Sequence, residues 1–342
     1  MKAVRLYGKQ DVRVVDIAKP QPLAGQVLIK VAAAGVCHSD LHLIHDGRMD
    51  AFAPFTLGHE NVGWVEEVGE GVTGFAHGDA VAVYGPWGCG YCHSCQRSAE
   101  NYCENQAKLG KMAGGIGHDG GMAEYMIVPH SRLLIPIGGL DPVQAAPLTD
   151  AALTPYHAVK RSLHKLTPDA FVVVIGIGGL GHMAIQILKA MCSSTIIACD
   201  VNDARMQLGL KHGADYVVNT ASATAADDII KITGEKKSAV VFDFVGVDPT
   251  MALGRKVSGL DSDWTIVGLG GGSFPFTYGS TPFGCSVCTP YWGSRTELIE
   301  VLTLAERGVI GVEVQRFPLE EALEVYALLE AGKINGRAVL IP

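Results

Sequence analysis

The chain has 342 residues, which is too long for one ordinary compact core and fits two domains. Apolar residues make up 48% and charged residues 18%, a balance that supports large buried cores and excludes a disordered chain. The net charge is −8 and no basic cluster is visible, so we expect neither a nucleic-acid partner nor a membrane partner.

The N-terminal stretch MKAVRLYGKQDVRVVD carries charges throughout and lacks the apolar core of a secretory signal. Residues 170–188 contain no formally charged side chain and approach the length of a membrane helix. Several glycines and a histidine interrupt this stretch, which divides into a β-rich half and a helix-like half. We therefore interpret it as a buried strand, a turn and a helix, and predict a cytoplasmic protein.

Residues 1–150 contain short β-type runs such as VLIKVAAAGV and AVAVYG, broken by Gly and Pro, which predict a β-rich or barrel-like lobe. Three residues of this lobe, Cys37, His59 and Asp150, could supply one sulfur, one imidazole and one carboxylate to a metal. Three protein ligands leave a fourth position open, as a catalytic zinc requires. Taken one at a time, a lone Cys is more often a core residue and a lone Asp a cap or a surface charge, so both interpretations stay open.

Four of the nine cysteines lie within PWGCGYCHSCQRSAENYC, with two C-x-x-C gaps and one C-x7-C gap. A chain without an export signal favours metal or redox chemistry over disulfides. A loop can wrap such thiols around one tetrahedral Zn²⁺ and leave no position for substrate, so we predict a structural zinc site. A redox-active thiol pair is the main alternative. The four thiols are Cys89, Cys92, Cys95 and Cys103.

The segment FVVVIGIGGLGHMAIQILKAM has the pattern of a strand, a glycine-rich turn and a helix. The turn reads Gly176-x-Gly178-Gly179-x-Gly181, and Asp200 ends the next predicted strand about twenty residues later. This pattern is typical of a dinucleotide site, in which the helix N-terminus faces the pyrophosphate. Asp200 would accept the adenosine-ribose hydroxyls and repel a 2′-phosphate, which favours NAD over NADP.

Further strands are predicted at residues 240–245 and 264–269, separated by helical stretches, which indicates a doubly wound parallel sheet. The C-terminal stretch EALEVYALLEAGKINGRAVLIP predicts an amphipathic helix and then a strand whose place in a sheet is not obvious from the local pattern.

Together, the two Cys/His constellations and the glycine fingerprint resemble the zinc-containing medium-chain alcohol dehydrogenases over essentially the whole chain. The stretches YGPWGCGYC, PLTDAALTPYHA and TPYWGSR look closest to bacterial NAD-dependent secondary alcohol dehydrogenases, some described as aryl ketone or phenylacetaldehyde reductases. The resemblance implies an α/β fold. A GroES-like β-rich catalytic domain would comprise residues 1–152 and 293–342, and a doubly wound Rossmann domain that binds NAD would comprise residues 153–292.

The resemblance makes Cys37, His59 and Asp150 the catalytic zinc ligands, although better-known members have cysteine in the place of Asp150. A carboxylate donates less charge than a thiolate, so the metal should be the stronger Lewis acid. Four neighbouring residues take supporting roles by the same resemblance. Asp40 orients the histidine ligand, Glu60 can approach the metal, Ser39 takes the proton of the alcohol, and His42 passes that proton to solvent or lines the pocket.

On the cofactor side, the resemblance assigns two sets of residues. Those for NAD(H) are His38, Thr154, Gly176, Gly178, Gly179, Leu180, Gly181, Asp200, Arg205, Val267, Gly268, Leu269 and Arg337. Those for the substrate pocket are Leu43, Phe52, Ile116, Tyr291 and Trp292, all apolar or aromatic, although ordinary core positions would explain any one of them.

The resemblance thus implies reversible hydride transfer between a hydrophobic alcohol, secondary and aryl-alkyl alcohols included, and NAD, with two zinc ions per chain. It also implies a homodimer or homotetramer. Three alternatives remain at this point: a zinc-free quinone or enone reductase on the same scaffold, a polyol or threonine dehydrogenase with a polar pocket, and a regulatory NAD-binding protein without catalysis.

Overall fold

The structure, a computed structural model, describes residues 1–47, 49–109 and 113–342. The described chain divides into two compact units, Met1–Leu153 with Trp292–Pro342, and Thr154–Tyr291. Among the described residues, none of the helices has the length and apolar character needed to cross a membrane.

The N-terminal part of the first unit is dominated by short strands, as its Gly- and Pro-broken β runs predict. Its described strands are β1 (Lys2–Gly8), β2 (Asp11–Asp16), β3 (Val27–Val36), β4 (Phe55–Thr56), β5 (Glu60–Val68), β6 (Ala80–Val83), β7 (Ala113–Gly114), β8 (Gly117–His118), β9 (Tyr125–Val128) and β10 (Leu134–Pro136). Its helices are α1 (His38–Asp46), α2 (His93–Gln96), α3 (Gln106–Leu109) and α4 (Pro142–Ala145), and α5 (Leu153–Arg161) continues into the second unit.

Strands and helices alternate in the second unit. They are β11 (Phe171–Ile175), α6 (Gly181–Met191), β12 (Thr195–Asp200), α7 (Asp203–Lys211), β13 (Tyr216–Asn219), α8 (Ala225–Thr233), β14 (Ser238–Asp243), α9 (Asp248–Val257), β15 (Ser258–Ile266) and β16 (Ser286–Cys288). All neighbouring strands pair in parallel, in the order β13-β12-β11-β14-β15-β16. The order reverses between β11 and β14, and a crevice for ligands forms at such a switch point, outside the carboxyl ends of the strands. The predicted doubly wound sheet is confirmed.

Two strand limits differ from the sequence prediction. The strand expected at 240–245 is Ser238–Asp243, because the Asp243 carboxylate accepts hydrogen bonds from the next backbone N–H groups and turns the chain. The strand expected at 264–269 is Ser258–Ile266, which begins in a polar, Gly-containing stretch without β character. Pairing with β14 recruits that stretch into the sheet, a tertiary effect that local propensity does not report.

The chain then returns to the first unit through α10 (Arg295–Glu306), β17 (Val314–Pro318), α11 (Ala322–Glu330) and β18 (Arg337–Ile341). The larger sheet of this unit has the order β10-β6-β5-β3-β18-β17, with β9 also paired to β3, and a smaller sheet has the order β2-β1-β4. The C-terminal strand without an obvious partner therefore lies antiparallel to β3 and parallel to β17.

Each unit has its own apolar core. In the first unit, α11 presents Ala322, Val325, Tyr326 and Leu329 at helical spacing to a core that includes Leu6 of β1. In the second unit, β11 is a β-branched run buried along most of its length, as expected of a parallel strand covered on both faces.

Candidate active site and metal centres

Four side chains that could bind a metal converge inside the first unit. Cys37 lies between β3 and α1, His59 immediately precedes β5, Glu60 begins β5, and Asp150 follows a short 3₁₀ helix. One potential ligand atom from each lies within 4.8 Å of those of the others, and all four residues are buried. Residues far apart in sequence thus form one compact donor set.

The distances within this set fit a tetrahedral zinc. The Cys37 Sγ atom lies 3.5 Å, and the His59 Nε2 atom 3.7 Å, from Asp150 Oδ2. With Zn–S near 2.3 Å and Zn–N and Zn–O near 2.0 Å, tetrahedral angles place such pairs about 3.3–3.5 Å apart. One thiolate, one imidazole and one carboxylate are a donor set suited to Zn²⁺. The residues therefore fit the predicted metal.

A buried carboxylate, Asp40, holds both the cysteine and the histidine in place. Its Oδ2 atom accepts a hydrogen bond from the Cys37 backbone N–H at 2.9 Å, and its Oδ1 atom lies 3.1 Å from His59 Nδ1. This contact directs Nε2 of the ring toward Asp150. Burial lowers the pKa of His59, but the charge of Asp40 and hydrogen bonds with Asp150, Asp40 and Cys37 raise it well above its usual value. Protonation and metal binding therefore compete for this ring.

Arg337, at the start of β18, adds a cation to the same cluster. Its Nε atom donates to Glu60 Oε2 at 3.0 Å, a second guanidinium nitrogen contacts Glu60 Oε1, and that nitrogen lies 3.4 Å from Asp150 Oδ2. Burial raises the pKa of Glu60 to about 7, against the opposing effect of Arg337. The Glu60 side chain lies against Gly35 of β3, where a Cβ atom would overlap it. Sequence reasoning linked Arg337 to the cofactor and did not anticipate this ion pair.

The other residues predicted in the first unit are buried to different degrees. Ser39 Oγ is 3.4 Å from Cys37 Sγ, whereas His42 is half-buried and His38 exposed on the same helix. Trp292 is buried, packs edge-on against the His59 ring at 5.5 Å between centroids, and donates its indole N–H to Thr149 O at 2.9 Å. Three half-buried apolar residues pack against the core of this unit: Leu43, Phe52 and Ile116.

The four clustered cysteines form a second donor set. Their sulfurs are separated by 3.9 Å between Cys89 and Cys95 and by 4.0 Å between Cys92 and Cys103. These separations are close to the value of about 3.8 Å expected across a tetrahedral ZnS₄ site, and far beyond the ~2 Å of a disulfide. The donor set therefore fits the predicted structural zinc.

Hydrogen-bond donors lower the pKa of two of the four thiols, Cys89 and Cys92, whereas burial raises the pKa of Cys95 and Cys103. Burial raises the pKa of Cys89, but the Asn105 side chain and neighbouring backbone N–H groups lower it to a net value of about 6. The Asn105 amide donates to Cys89 Sγ at 3.3 Å, and the Cys89 N–H donates to Cys103 Sγ at 3.3 Å. Such hydrogen bonds favour the charged ligands that zinc requires.

The same lobe contains an ionic contact that sequence reasoning missed. The fully buried Glu100 carboxylate lies 3.6 Å from Nε of both Arg132 and Arg295. Arg132 also donates to Gly88 O, next to Cys89, and Arg295 donates to Ser98 Oγ, both at 2.8 Å. These partners are distant in sequence and carry no local pattern, so no sequence signal could have revealed them.

In the second unit, the glycine-rich turn joins β11 to α6 as predicted. Gly176 has a φ of +87°, which favours glycine, and a Cβ atom at Gly181 would overlap the Gly176 carbonyl. At Gly178 a Cβ atom would meet nothing within 4 Å, so this face of the turn is open. Asp200 ends β12, and its Oδ2 atom accepts the Ile177 N–H at 2.7 Å.

Four further predicted cofactor residues belong to this unit. Arg205 is half-buried on α7, and Val267, Gly268 and Leu269 follow β15, with Leu269 exposed. The remaining predicted residues Gly179 and Leu180 lie in the glycine turn, Thr154 is buried on α5, and Tyr291 is half-buried at the end of the unit.

Comparison with known proteins agrees with these features. Residues 23–138 match the alcohol dehydrogenase GroES-like domain family, and residues 179–307 match the zinc-binding dehydrogenase family. The NAD-dependent alcohol dehydrogenase of Sulfurisphaera tokodaii is 38% identical, with 100% of both chains covered. The crystal structure of the alcohol dehydrogenase from Aeropyrum pernix has a TM-score of 0.92 at 36% identity, with 100% of both chains covered. The acetophenone reductase of Geotrichum candidum, solved in complex with NAD, has a TM-score of 0.86 at 30% identity, with 100% of this chain and 97% of that chain covered.

The fold and the two donor sets define a zinc- and dinucleotide-dependent oxidoreductase. The chain belongs to the zinc-containing medium-chain alcohol dehydrogenase family. It is an NAD-dependent alcohol dehydrogenase with one catalytic and one structural zinc per chain, and the predicted fold, enzyme class and cofactors are confirmed. The zinc-free and non-catalytic alternatives are not favoured.

Proposed function

We propose that this enzyme interconverts hydrophobic alcohols, chiefly secondary and aryl-alkyl ones, with their ketones or aldehydes, and that Cys37, His59 and Asp150 hold its catalytic zinc. The observation that carries the proposal is the convergence of these three different donors, buried and at tetrahedral spacing, inside one unit. When bound there, zinc supplies a Lewis acid that favours loss of the hydroxyl proton from an alcohol, or polarises a carbonyl, while NAD(H) exchanges hydride with carbon.

Charge balance supports three permanent ligands rather than four. A thiolate from Cys37 and a carboxylate from Asp150 match the double charge of zinc, and a His59 ring without its extra proton adds none. Glu60 would add one negative charge, but Arg337 pairs with it by two contacts within the same buried cluster. While this pair persists, Glu60 is held by a cation, which would leave the fourth coordination position of a bound zinc to water or substrate.

The neighbouring side chains fit distinct tasks in proton transfer. Asp40 orients His59 through its contact with Nδ1, so that Nε2 faces the donor set. Ser39 lies beside Cys37 and is the nearest predicted hydroxyl for the proton of the alcohol. His42, half-buried on the same helix, would hand that proton to solvent.

The surroundings of the donor set favour an apolar substrate. Trp292 packs against His59, and Arg337, the cation in the cluster, is paired with Glu60 and is assigned to the cofactor, so we do not assign it to a substrate carboxylate or phosphate. The predicted pocket residues Leu43, Phe52, Ile116 and Tyr291 are apolar or aromatic. A relative that is 30% identical is an acetophenone reductase, which supports aryl-alkyl ketones as substrates of this enzyme.

We assign NAD(H) binding to residues 153–292 and catalysis to residues 1–152 and 293–342. The switch point of the parallel sheet, the open face of Gly178 and the acidic end of β12 support the first assignment. In this assignment Asp200 and Arg205 meet the adenosine ribose, and Val267, Gly268, Leu269 and Thr154 meet the rest of the cofactor. His38 and Arg337 are proposed to meet its phosphates, which would require Arg337 to exchange Glu60 for a phosphate.

We further propose a cytoplasmic homo-oligomer. Four exposed apolar side chains lie on β15 or in the segment between β15 and the edge strand β16: Leu260, Phe276, Tyr278 and Phe283. Such a patch beside an unpaired strand edge favours self-association. None of the nine cysteines, all of which lie within the described residues, forms a disulfide, and this is the state expected in a reducing compartment. Light scattering and cell fractionation test these two points.

The proposed chemistry is tested with a substrate panel and one pair of variants. The wild type should oxidise 1-phenylethanol with NAD, contain two zinc ions per chain, and turn over sugar alcohols and threonine poorly. Asp150→Ala should lower kcat by about a thousandfold or more while keeping one zinc ion and NADH binding. The surface variant Asp141→Ala serves as the control. Full activity in Asp150→Ala, or a preference for polyols, would contradict the proposal.

A further inference from the structure

Asp243, which is not among the predicted site residues, has a buried carboxylate at the switch point of the parallel sheet. Asp243 ends β14, pairs in register with Ile175 at the end of β11, and is fully buried. Its position is therefore next to the glycine-rich turn that follows β11, at the carboxyl edge where open α/β sheets bind ligands.

Asp243 fixes two successive loops through hydrogen bonds. Its side-chain Oδ1 atom accepts the N–H groups of Val245 and Gly246, both at 2.9 Å. Its backbone carbonyl accepts the N–H groups of Val267 and Gly268, at 2.8 and 3.0 Å. One residue thus determines the start of the loop after β14 and the start of the loop after β15.

The two loops are interlocked at glycines. Gly246 has a φ of +70°, and a Cβ atom added to it would overlap the Gly268 carbonyl. The N–H of Gly270 donates to Val245 O at 3.0 Å, and the N–H of Gly272 donates to Gly246 O at 2.8 Å. The path of residues 267–272 therefore follows the path of residues 245–247, which the Asp243 carboxylate sets.

The first loop also reaches the glycine-rich turn. The Phe244 N–H donates to Ile175 O at 2.9 Å, and the Val245 side chain occupies the space where Gly176 would carry a Cβ atom. Burial raises the pKa of Asp243 above its usual value, although the N–H groups of Gly246 and Val245 and the Thr250 side chain act in the opposite direction. A single carboxylate is connected in this way to both segments proposed to contact NAD(H).

We propose that Asp243 is a positioning residue for the cofactor, which holds residues 244–247 and 267–269 in the conformation that binds NAD(H) before the cofactor arrives. The inference rests on the proposed role of residues 267–269 in cofactor binding. Asp243 is buried beneath these loops and acts through their backbone, so its effect should fall on cofactor affinity and leave the zinc sites unchanged.

The chain offers a matched control for general destabilisation. Asp215 belongs to the same unit, and its Oδ2 atom accepts a backbone hydrogen bond from Ile196 at 2.8 Å. It precedes β13 and so lies at the amino edge of the sheet, away from the edge where the cofactor is proposed to bind. Replacing it removes one side-chain-to-backbone hydrogen bond at an exposed position, without touching either loop.

The test compares Asp243→Ala, Asp243→Asn and Asp215→Ala in the full-length, zinc-loaded enzyme. We expect Asp243→Ala to raise the Kd for NADH and the KM for NAD by about tenfold, with two zinc ions retained. Asp243→Asn keeps an oxygen that accepts both N–H groups and should remain within about threefold of the wild type. Asp215→Ala should leave the Kd for NADH unchanged. A wild-type Kd in Asp243→Ala, or an equal rise in Asp215→Ala, would overturn the proposal.

Hydrogen–deuterium exchange of the wild type gives a second readout that needs no variant. We expect the amides of Val245, Gly246, Val267 and Gly268 to be protected already in the cofactor-free enzyme. Protection of these amides only after NADH is added would overturn the proposal. The affinity for NADH tests the role of Asp243 independently of the proposed function. The proposed function fails if the wild type binds NADH but oxidises no hydrophobic alcohol.

Discussion

Arg337 Nε donates a hydrogen bond to Glu60 Oε2 at 3.0 Å, and this ion pair is buried beside the predicted zinc ligands. Glu60 is fully buried, so its carboxylate depends on this cation for compensation. The pair connects β5, which begins at Glu60, with β18, which begins at Arg337. It thereby links the C-terminal segment to the catalytic cluster.

Removing the cation alone should therefore harm the protein more than removing both charges. Arg337→Leu leaves Glu60 buried and uncompensated, and we expect the free energy of unfolding to fall by about 3–5 kcal/mol. The double variant Glu60→Gln/Arg337→Leu should recover most of that loss, because neither member of the pair is then left as a buried charge without its partner. Urea titrations of the three proteins measure the difference. Equal free energies of unfolding for the single and double variants would contradict the prediction that an unpaired Glu60 destabilises the protein.

The same carboxyl predicts how the stability of metal-stripped enzyme depends on pH. The folded pKa of Glu60 is about 7 against 4.5 for the free group, so the folded state binds more protons between these values. Stability should therefore fall as pH rises from about 5 to about 7. His59, whose pKa is also raised, contributes stability below its usual pKa that is lost at higher pH. Glu60→Gln should flatten the lower part of this profile, and urea titrations at several pH values measure the slope. A slope that the variant leaves unchanged would contradict the prediction.

Asp40 should control zinc affinity through His59. Asp40→Asn keeps an acceptor for the Cys37 N–H but removes the charge beside His59 Nδ1. We expect the affinity of the catalytic site for zinc to fall about 10- to 100-fold, as the loss of an outer-sphere carboxylate commonly does. Competition with a chelator measures this affinity, and the zinc bound by the four cysteines is the internal control. Equal loss from both sites would argue against a specific effect on His59.

The four-cysteine site should act through zinc and not through thiol redox chemistry. Cys103→Ser removes one of four sulfurs, so we expect loss of one zinc ion per chain and a lower Tm. Cys192→Ser, at a half-buried cysteine outside the cluster, is the control and should keep both ions. Reducing agents should leave the Tm of the wild type unchanged, because its sulfurs are about twice as far apart as in a disulfide. A Tm that falls with added reductant would favour the redox alternative.

His38 should limit how tightly the cofactor is held. It is exposed at the start of α1, and a histidine is a weaker cation near neutral pH than an arginine in the same place would be. His38→Arg should therefore slow NADH dissociation, and the effect should shrink as salt is added. Stopped-flow displacement of NADH measures the rate. Unchanged dissociation at low salt would remove His38 from the proposed cofactor site.

Features that depend on a few neighbouring residues were predicted well. The glycine turn between β11 and α6 follows from Gly176 and Gly181, whose backbone conformation and close packing admit no side chain. The four-thiol loop follows from its spacing, since short gaps let one loop surround one ion. The limits of β14 and β15 were predicted less well, because the Asp243 turn and the pairing of β15 with β14 override local β propensity.

The catalytic cluster shows the opposite case. Spacing left Cys37, His59 and Asp150 open to ordinary structural explanations, and a family resemblance was needed to group them. Only folding brings their ligand atoms within 4.8 Å, because β3, β5 and a distant 3₁₀ turn meet in the first unit. The pairing of Arg337 with Glu60 is likewise a product of β18 inserting between β3 and β17. Short-range chemistry is encoded by neighbours along the chain, whereas the partner of a buried charge is settled by which strands lie side by side.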